Sequence, residues 1–111
     1  MIDINTIKNE VIERLIPLHL NKIILFGSYA NGNPNEDSDI DLFLLKDDLT
    51  LSELKNFELE ANRKIRDLIF KYKISFDILS YPTERIYEKE DYFYKVDILT
   101  KGIVWYEQKV S

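Results

Sequence analysis

The sequence contains no cysteine and a single histidine. Without cysteine, neither a disulfide framework nor a thiolate metal site can form. His19 has no second His or Cys with which to build a zinc site, and it reads as structural or exposed. The same absence suits a reducing compartment, so a cytoplasmic location is expected. No uninterrupted apolar stretch approaches the roughly 20 residues that span a bilayer, so no membrane association is expected. Asp3 and Glu10 interrupt the apolar residues near the N-terminus, which is unlike a secretion signal. Internal repeats, low-complexity tracts and Gly/Ser linkers are also lacking. An excess of positive charge is missing too. The 15 basic side chains face 20 acidic ones, for a net charge of −5. Such a chain would not hold an extended nucleic acid by phosphate attraction. A single nucleotide remains open, because bound cations can reverse the local sign.

What is present suits one soluble domain over residues 1–111. Hydrophobic residues make up 45% of the chain, and seven tyrosines, six phenylalanines and one tryptophan add large apolar area to a small core. Ile4, Ile7, Val11 and Leu15 recur at helical spacing ahead of Pro17. Lys22–Phe26 (KIILF) is a short apolar run that reads as a buried strand, ending at Gly27. The stretch Ala30–Ser38 (ANGNPNEDS) is dense in Asn, Gly and Pro and is expected to be a loop. Asp39–Leu45 (DIDLFLL) reads as a second strand. A capping box of Thr50 with Glu53 then opens a long helix, with Leu54, Phe57, Ala61, Ile65, Leu68 and Tyr72 on one side. The charged residues of 58–67 are assigned to its wet face. Ile74–Ser80 (ISFDILS) gives a third strand. Pro82 opens a helical stretch, a further helix around 92–100 stops at Gly102, and Ile103–Tyr106 closes as a short strand. The expected fold is α/β (α+β): a small mixed sheet of three to four strands covered by helices. The loop between the first two strands is too short for a crossover helix, so these two are expected to be antiparallel.

The chemistry gathers on three acids and one Gly-Ser pair. Side chains alternate along a strand, so Asp39 and Asp41 point the same way while Ile40, Leu42 and Leu44 point into the core. Adjacent carboxylates repel, and a divalent cation such as Mg²⁺ resolves that repulsion by taking their oxygens together with substrate phosphates. Asp77 lies between Phe76 and Ile78 on the third strand. If the two strands are neighbours, three carboxylates converge, enough for a site with two metal ions. Gly27 lets the backbone approach a ligand closely, and Ser28 begins a turn, or a short helix, whose N–H groups and hydroxyl can cradle phosphate oxygens. Glu36 and Asp37 read as solvated loop residues, and Ser38 as a turn residue. The aromatic series Tyr81, Tyr87, Tyr92, Phe93 and Tyr94 reads as core and surface packing rather than a base-stacking platform, or as a partner surface.

Gly27-Ser28, ten intervening residues and Asp39-Ile40-Asp41 match the GS-x10-DxD signature of the DNA polymerase β-like nucleotidyltransferases. The longer text GSYANGNPNEDSDIDLFLL resembles their small prokaryotic branch, the minimal nucleotidyltransferases (MNT). The third acid in FDIL and the closing KGIVWYE extend that resemblance over nearly the whole chain. It implies that Asp39 and Asp41 bridge two Mg²⁺ ions and that Gly27 and Ser28 bind the triphosphate of ATP. Asp77 would complete one metal site and help activate the acceptor hydroxyl. Many MNT proteins are antitoxins paired with a HEPN-domain toxin, and some transfer AMP from ATP to a tyrosine of that toxin. The resemblance therefore implies a nucleotidyltransferase acting on a hydroxyl of a partner protein. No acceptor domain of the kind found in antibiotic-modifying relatives is recognised. Two alternatives are a small-molecule transferase with an aminoglycoside-like acceptor and a non-catalytic antitoxin that acts by binding. The intact set of three acids argues against the second. An assembly with itself or with a second protein stays open.

Overall fold

Helix α1 (Ile4–Leu15) starts where the Asp3 side chain accepts the Asn5 N–H at 3.0 Å, and it buries Ile7, Val11 and Leu15 completely. The computed structural model describes residues 3–109, and the outermost two residues at each end of the expected 1–111 domain lie outside them. After α1, a 3₁₀ turn (Ile16–Leu18) takes up Pro17. Strand β1 (Lys22–Phe26) follows, then a one-turn helix α2 (Ser28–Asn31) and strand β2 (Ile40–Lys46). Beyond a 3₁₀ turn (Leu51–Glu53) come α3 (Leu54–Lys64), α4 (Arg66–Tyr72) and β3 (Phe76–Pro82). Helix α5 (Thr83–Ile86), a π-helical turn (Phe93–Ile98) and β4 (Ile103–Glu107) complete the chain.

The sheet order is β3-β2-β1-β4. Strand β1 is antiparallel to both β2 and β4, whereas β2 and β3 are parallel, so the sheet is mixed as expected. Alternation along the strands creates two apolar faces. Ile23, Leu25, Leu42, Leu44 and Ile78 pack against α1, α3 and α4. Ile24, Phe26, Phe43, Leu45 and Tyr81 pack against Ile86 of α5 and Ile98 of the π-helical turn. Because both faces are covered, β1 and β2 read as continuous apolar runs.

Strand β2 is shifted by one residue from the expected Asp39–Leu45, the expected helix around 92–100 is a π-helical turn, and four further details differ from the sequence-based expectation. Of the expected loop, Ala30 and Asn31 belong to the short helix α2, so the loop begins after Asn31. The Thr50/Glu53 capping box is present, but the long helix divides at Ile65, whose φ and ψ are −106° and 6°. No Gly or Pro marks that break, and Ile65 and Leu68 on either side of it are both fully buried. Strand β3 begins at Phe76 rather than Ile74 and runs to Pro82. Glu58 does not belong to the wet face. Its Oε2 accepts the Ser80 N–H at 2.9 Å and the Ser80 hydroxyl at 2.7 Å, tying α3 to β3 at a buried serine.

Candidate active site

Three strands deliver the acids to one end of the second sheet face. In the β1–β2 ladder Asp41 stands opposite Phe26, and in the β2–β3 ladder it stands opposite Asp77. The condition set by the sequence, that the second and third strands be neighbours, is met. Asp39 comes just before the first residue of β2, Ile40, whose N–H bonds the Ser75 carbonyl at 2.9 Å. Asp39 and Asp77 are exposed and Asp41 is half-buried.

Gly27 follows Phe26 and adopts φ 77°, ψ −154°, a conformation that side chains resist. A Cβ built on it would overlap the Asp41 carboxylate. Glycine is thus required twice at this point, by the backbone and by the acid pressed against it. The turn it opens has no side-chain cap, so the first amides of α2 take no capping bond. Ser28 is half-buried beside them.

None of the ion pairs among the described residues includes Asp39, Asp41 or Asp77. Burial, then the neighbouring Asp77 and Asp39 charges, push the Asp41 carboxyl up to about 6. Among the described residues, no three His, Cys, Asp or Glu side chains stand close enough to hold a metal ion by themselves. The donor set nevertheless fits a hard cation. It offers carboxylate oxygens alone, without a counter-ion, and Mg²⁺ typically takes one or two carboxylates and completes its shell with substrate phosphates and water.

Two cavities flank the sheet ends. One, of about 240 Å³, lies next to Gly27 and is lined by Phe26, Gly27, Asn31, Phe93 and Asp97. It exists because the π-helical turn packs closely on β1: a Cβ at Gly102 would overlap the Ile98 carbonyl and the Ile24 side chain. The other, of about 410 Å³, includes His19, Lys46 and Phe57 at the opposite end of β1 and β2. It is larger but remote from the acids, and its Lys46 ammonium already donates to the Leu18 carbonyl at 2.7 Å.

Sequence reasoning named Gly27, Ser28, Asp39, Asp41 and Asp77, and the fold brings all five to one end of the sheet. It passed over Asn31 and Asp97, and it read Phe93 as packing or a partner surface. The one available signal was the spacing of Phe93 and Asp97, four apart within a helical run. His19 is exposed, with a left-handed backbone (φ 58°) closing the first 3₁₀ turn. The aromatic series divides: Tyr81 is buried, Phe93 and Tyr94 are half-buried against Phe43, and Tyr87 and Tyr92 are exposed.

The chain is similar to several known proteins. The family model described as "Polymerase beta, Nucleotidyltransferase" matches residues 5–110. A curated relative from Methanocaldococcus jannaschii, described as a "putative protein adenylyltransferase", is 41% identical over 71 residues. That match covers 63% of this chain and 62% of the relative, less than two thirds of its length. Among solved structures, a toxin–antitoxin crystallised with AMP-PNP aligns with 92% of this chain and 74% of its own, with a TM-score of 0.61 and 21% identity. A Sulfolobus solfataricus protein described as a "putative nucleotidyltransferase" aligns with 91% of this chain and 77% of its own, with a TM-score of 0.61 and 18% identity. At those identities the two structures share the fold with this chain.

Proposed function

The chain belongs to the polymerase beta nucleotidyltransferase family, and from that premise we propose that it transfers AMP from ATP to a hydroxyl of a partner protein. The observation that carries this proposal is the strand register, which sets Asp41 beside Asp77 and presses Gly27 against the Asp41 carboxylate.

Asp39, Asp41 and Asp77 are the residues that would hold two Mg²⁺ ions. Bound there, the ions would neutralise charge building between the α-phosphate and the departing pyrophosphate. Gly27 admits the outer phosphates to the backbone, and the Ser28 hydroxyl and the first amides of α2 hold them in line. The acceptor oxygen forms a bond to the α-phosphorus as the bond to the bridging oxygen of pyrophosphate breaks. Asp77, exposed at the rim, takes the acceptor's proton and passes it to solvent.

The partner in this proposal is a HEPN-type toxin, with this chain as its antitoxin and the complex working in the cytoplasm. Support comes from the M. jannaschii relative described as an adenylyltransferase and from the toxin–antitoxin structure that carries AMP-PNP. The experiment is incubation with labelled ATP, Mg²⁺ and the product of the neighbouring gene, followed by mass spectrometry. AMP on a toxin hydroxyl, absent with Asp41→Asn, is the expected result. An unmodified toxin that is still neutralised would point to neutralisation by binding alone.

A further inference from the structure

Gly27 borders two features. The Asp41 carboxylate lies where a Cβ on it would stand, with Asp77 next in register. Gly27 also lines the cavity of about 240 Å³, where Phe26 and Phe93 stand edge to face at 5.6 Å. The polar groups of that cavity are the Asn31 amide and the half-buried Asp97 carboxylate. Neither group appears in any side-chain hydrogen bond or ion pair among the described residues, whereas the half-buried carboxylate of Glu58 is engaged by Ser80. An anion would be repelled from Asp97, so the cavity is unsuited to the phosphates themselves. A flat, uncharged group with N–H or O–H donors suits it on every count. Aromatic walls contact its faces, a carboxylate accepts its protons, and an amide can donate or accept. Pockets of this make-up, apolar with a few aimed polar groups, are those that hold small ligands.

We propose that this cavity takes the nucleoside part of the triphosphate, with Asp97 accepting hydrogen bonds from it and Phe93 as its aromatic wall. The proposal rests on the reading of Gly27-Ser28 and the three acids as the phosphate site. It adds direction: phosphates on the cation side of Gly27, nucleoside on the Asp97 side. The unpaired Asp97 then serves both ends of the ligand, attracting the donors and excluding the phosphates from the wrong side.

Calorimetric titrations with inorganic tripolyphosphate and with ATP, each in Mg²⁺, separate the two halves of the ligand. Tripolyphosphate reports the phosphate site alone, and the extra affinity of ATP reports the cavity. For the parent protein ATP should bind more tightly than tripolyphosphate. Asp97→Asn should reduce that advantage roughly tenfold or more, as loss of a hydrogen bond to a charged group does. It should leave tripolyphosphate binding unchanged or stronger. Asn31→Ala, an exposed position with little bearing on folding, should reduce the advantage to a smaller degree. The proposal is overturned if ATP binds the parent no better than tripolyphosphate, or if both variants keep the full advantage. If neither ligand binds the parent in Mg²⁺, the phosphate site itself has been misassigned and the nucleoside pocket goes with it.

Discussion

At Gly27 two demands coincide, a φ of 77° and the space filled by the Asp41 carboxylate. Gly27→Ala must therefore strain the backbone and displace the acid together. A loss of about 1–3 kcal/mol is expected from the backbone alone, read as a lower midpoint in urea, with transfer abolished. Unchanged stability would mean that the close approach is not a real constraint. Asp41 supplies a second test at this scale. Its carboxyl is raised to about 6, well above the unfolded value, so the folded metal-free chain binds a proton there that the unfolded chain gives up near pH 4. The stability from this group is present at the acid end and is lost as pH rises through about 6. Melting the metal-free parent against Asp41→Asn from about pH 4 to 7 should show the parent falling behind as pH rises. Parallel curves would mean that Asp41 is not held in a repulsive, desolvated site. Mg²⁺ must compete with the same proton, so its affinity should weaken below about pH 6.

Among the elements, β3 depends on the pair Glu58–Ser80, which anchors α3 three residues along the strand from Asp77. Ser80→Ala leaves a half-buried carboxylate short of one donor. It should cost about 1–3 kcal/mol in chemical denaturation, and transfer should fall as Asp77 loses its setting. A change within experimental error would make that anchor incidental. This bond also shows where the sequence stopped being legible. The four strands, α1 and the capping box follow from apolar runs, periodicity and local signals, which act within a few residues. Of the five proposed site residues, Gly27, Ser28, Asp39 and Asp41 follow from the Gly-Ser spacing and the alternation of acids with apolar residues, and Asp77 from its place in the apolar run of β3. Glu58 lies among the charged residues of an amphipathic helix, and only the packing of α3 on β3 reveals its partner. The division at Ile65 carries no Gly or Pro. Asp97 gains its place from Gly102, which lets the π-helical turn settle on β1, a tertiary contact without any local signature.

At the scale of the whole molecule, a chain of net charge −5 presents three unpaired carboxylates where a triphosphate is to sit. Recognition of the nucleotide and of a protein partner should then be separable. Ser28→Ala removes one or two hydrogen bonds to phosphate, worth about 1–3 kcal/mol. It should weaken ATP and slow transfer while the complex with the proposed toxin partner stays intact in a pull-down. Tyr94 is half-buried against Phe43 and Tyr81 and is no probe of that partner surface, whereas Tyr92 is 64% exposed and suits the purpose. A Ser28→Ala variant that loses the toxin as well would merge the two surfaces. The central claim is that these carboxylates hold the nucleotide only through divalent cations, since otherwise the encounter is one of like charges. Titrating ATP into the protein by calorimetry, once with Mg²⁺ and once with EDTA, tests it most directly. Binding should appear with Mg²⁺ and vanish with EDTA, and equal affinity in the two would mean that Asp39, Asp41 and Asp77 are not metal ligands.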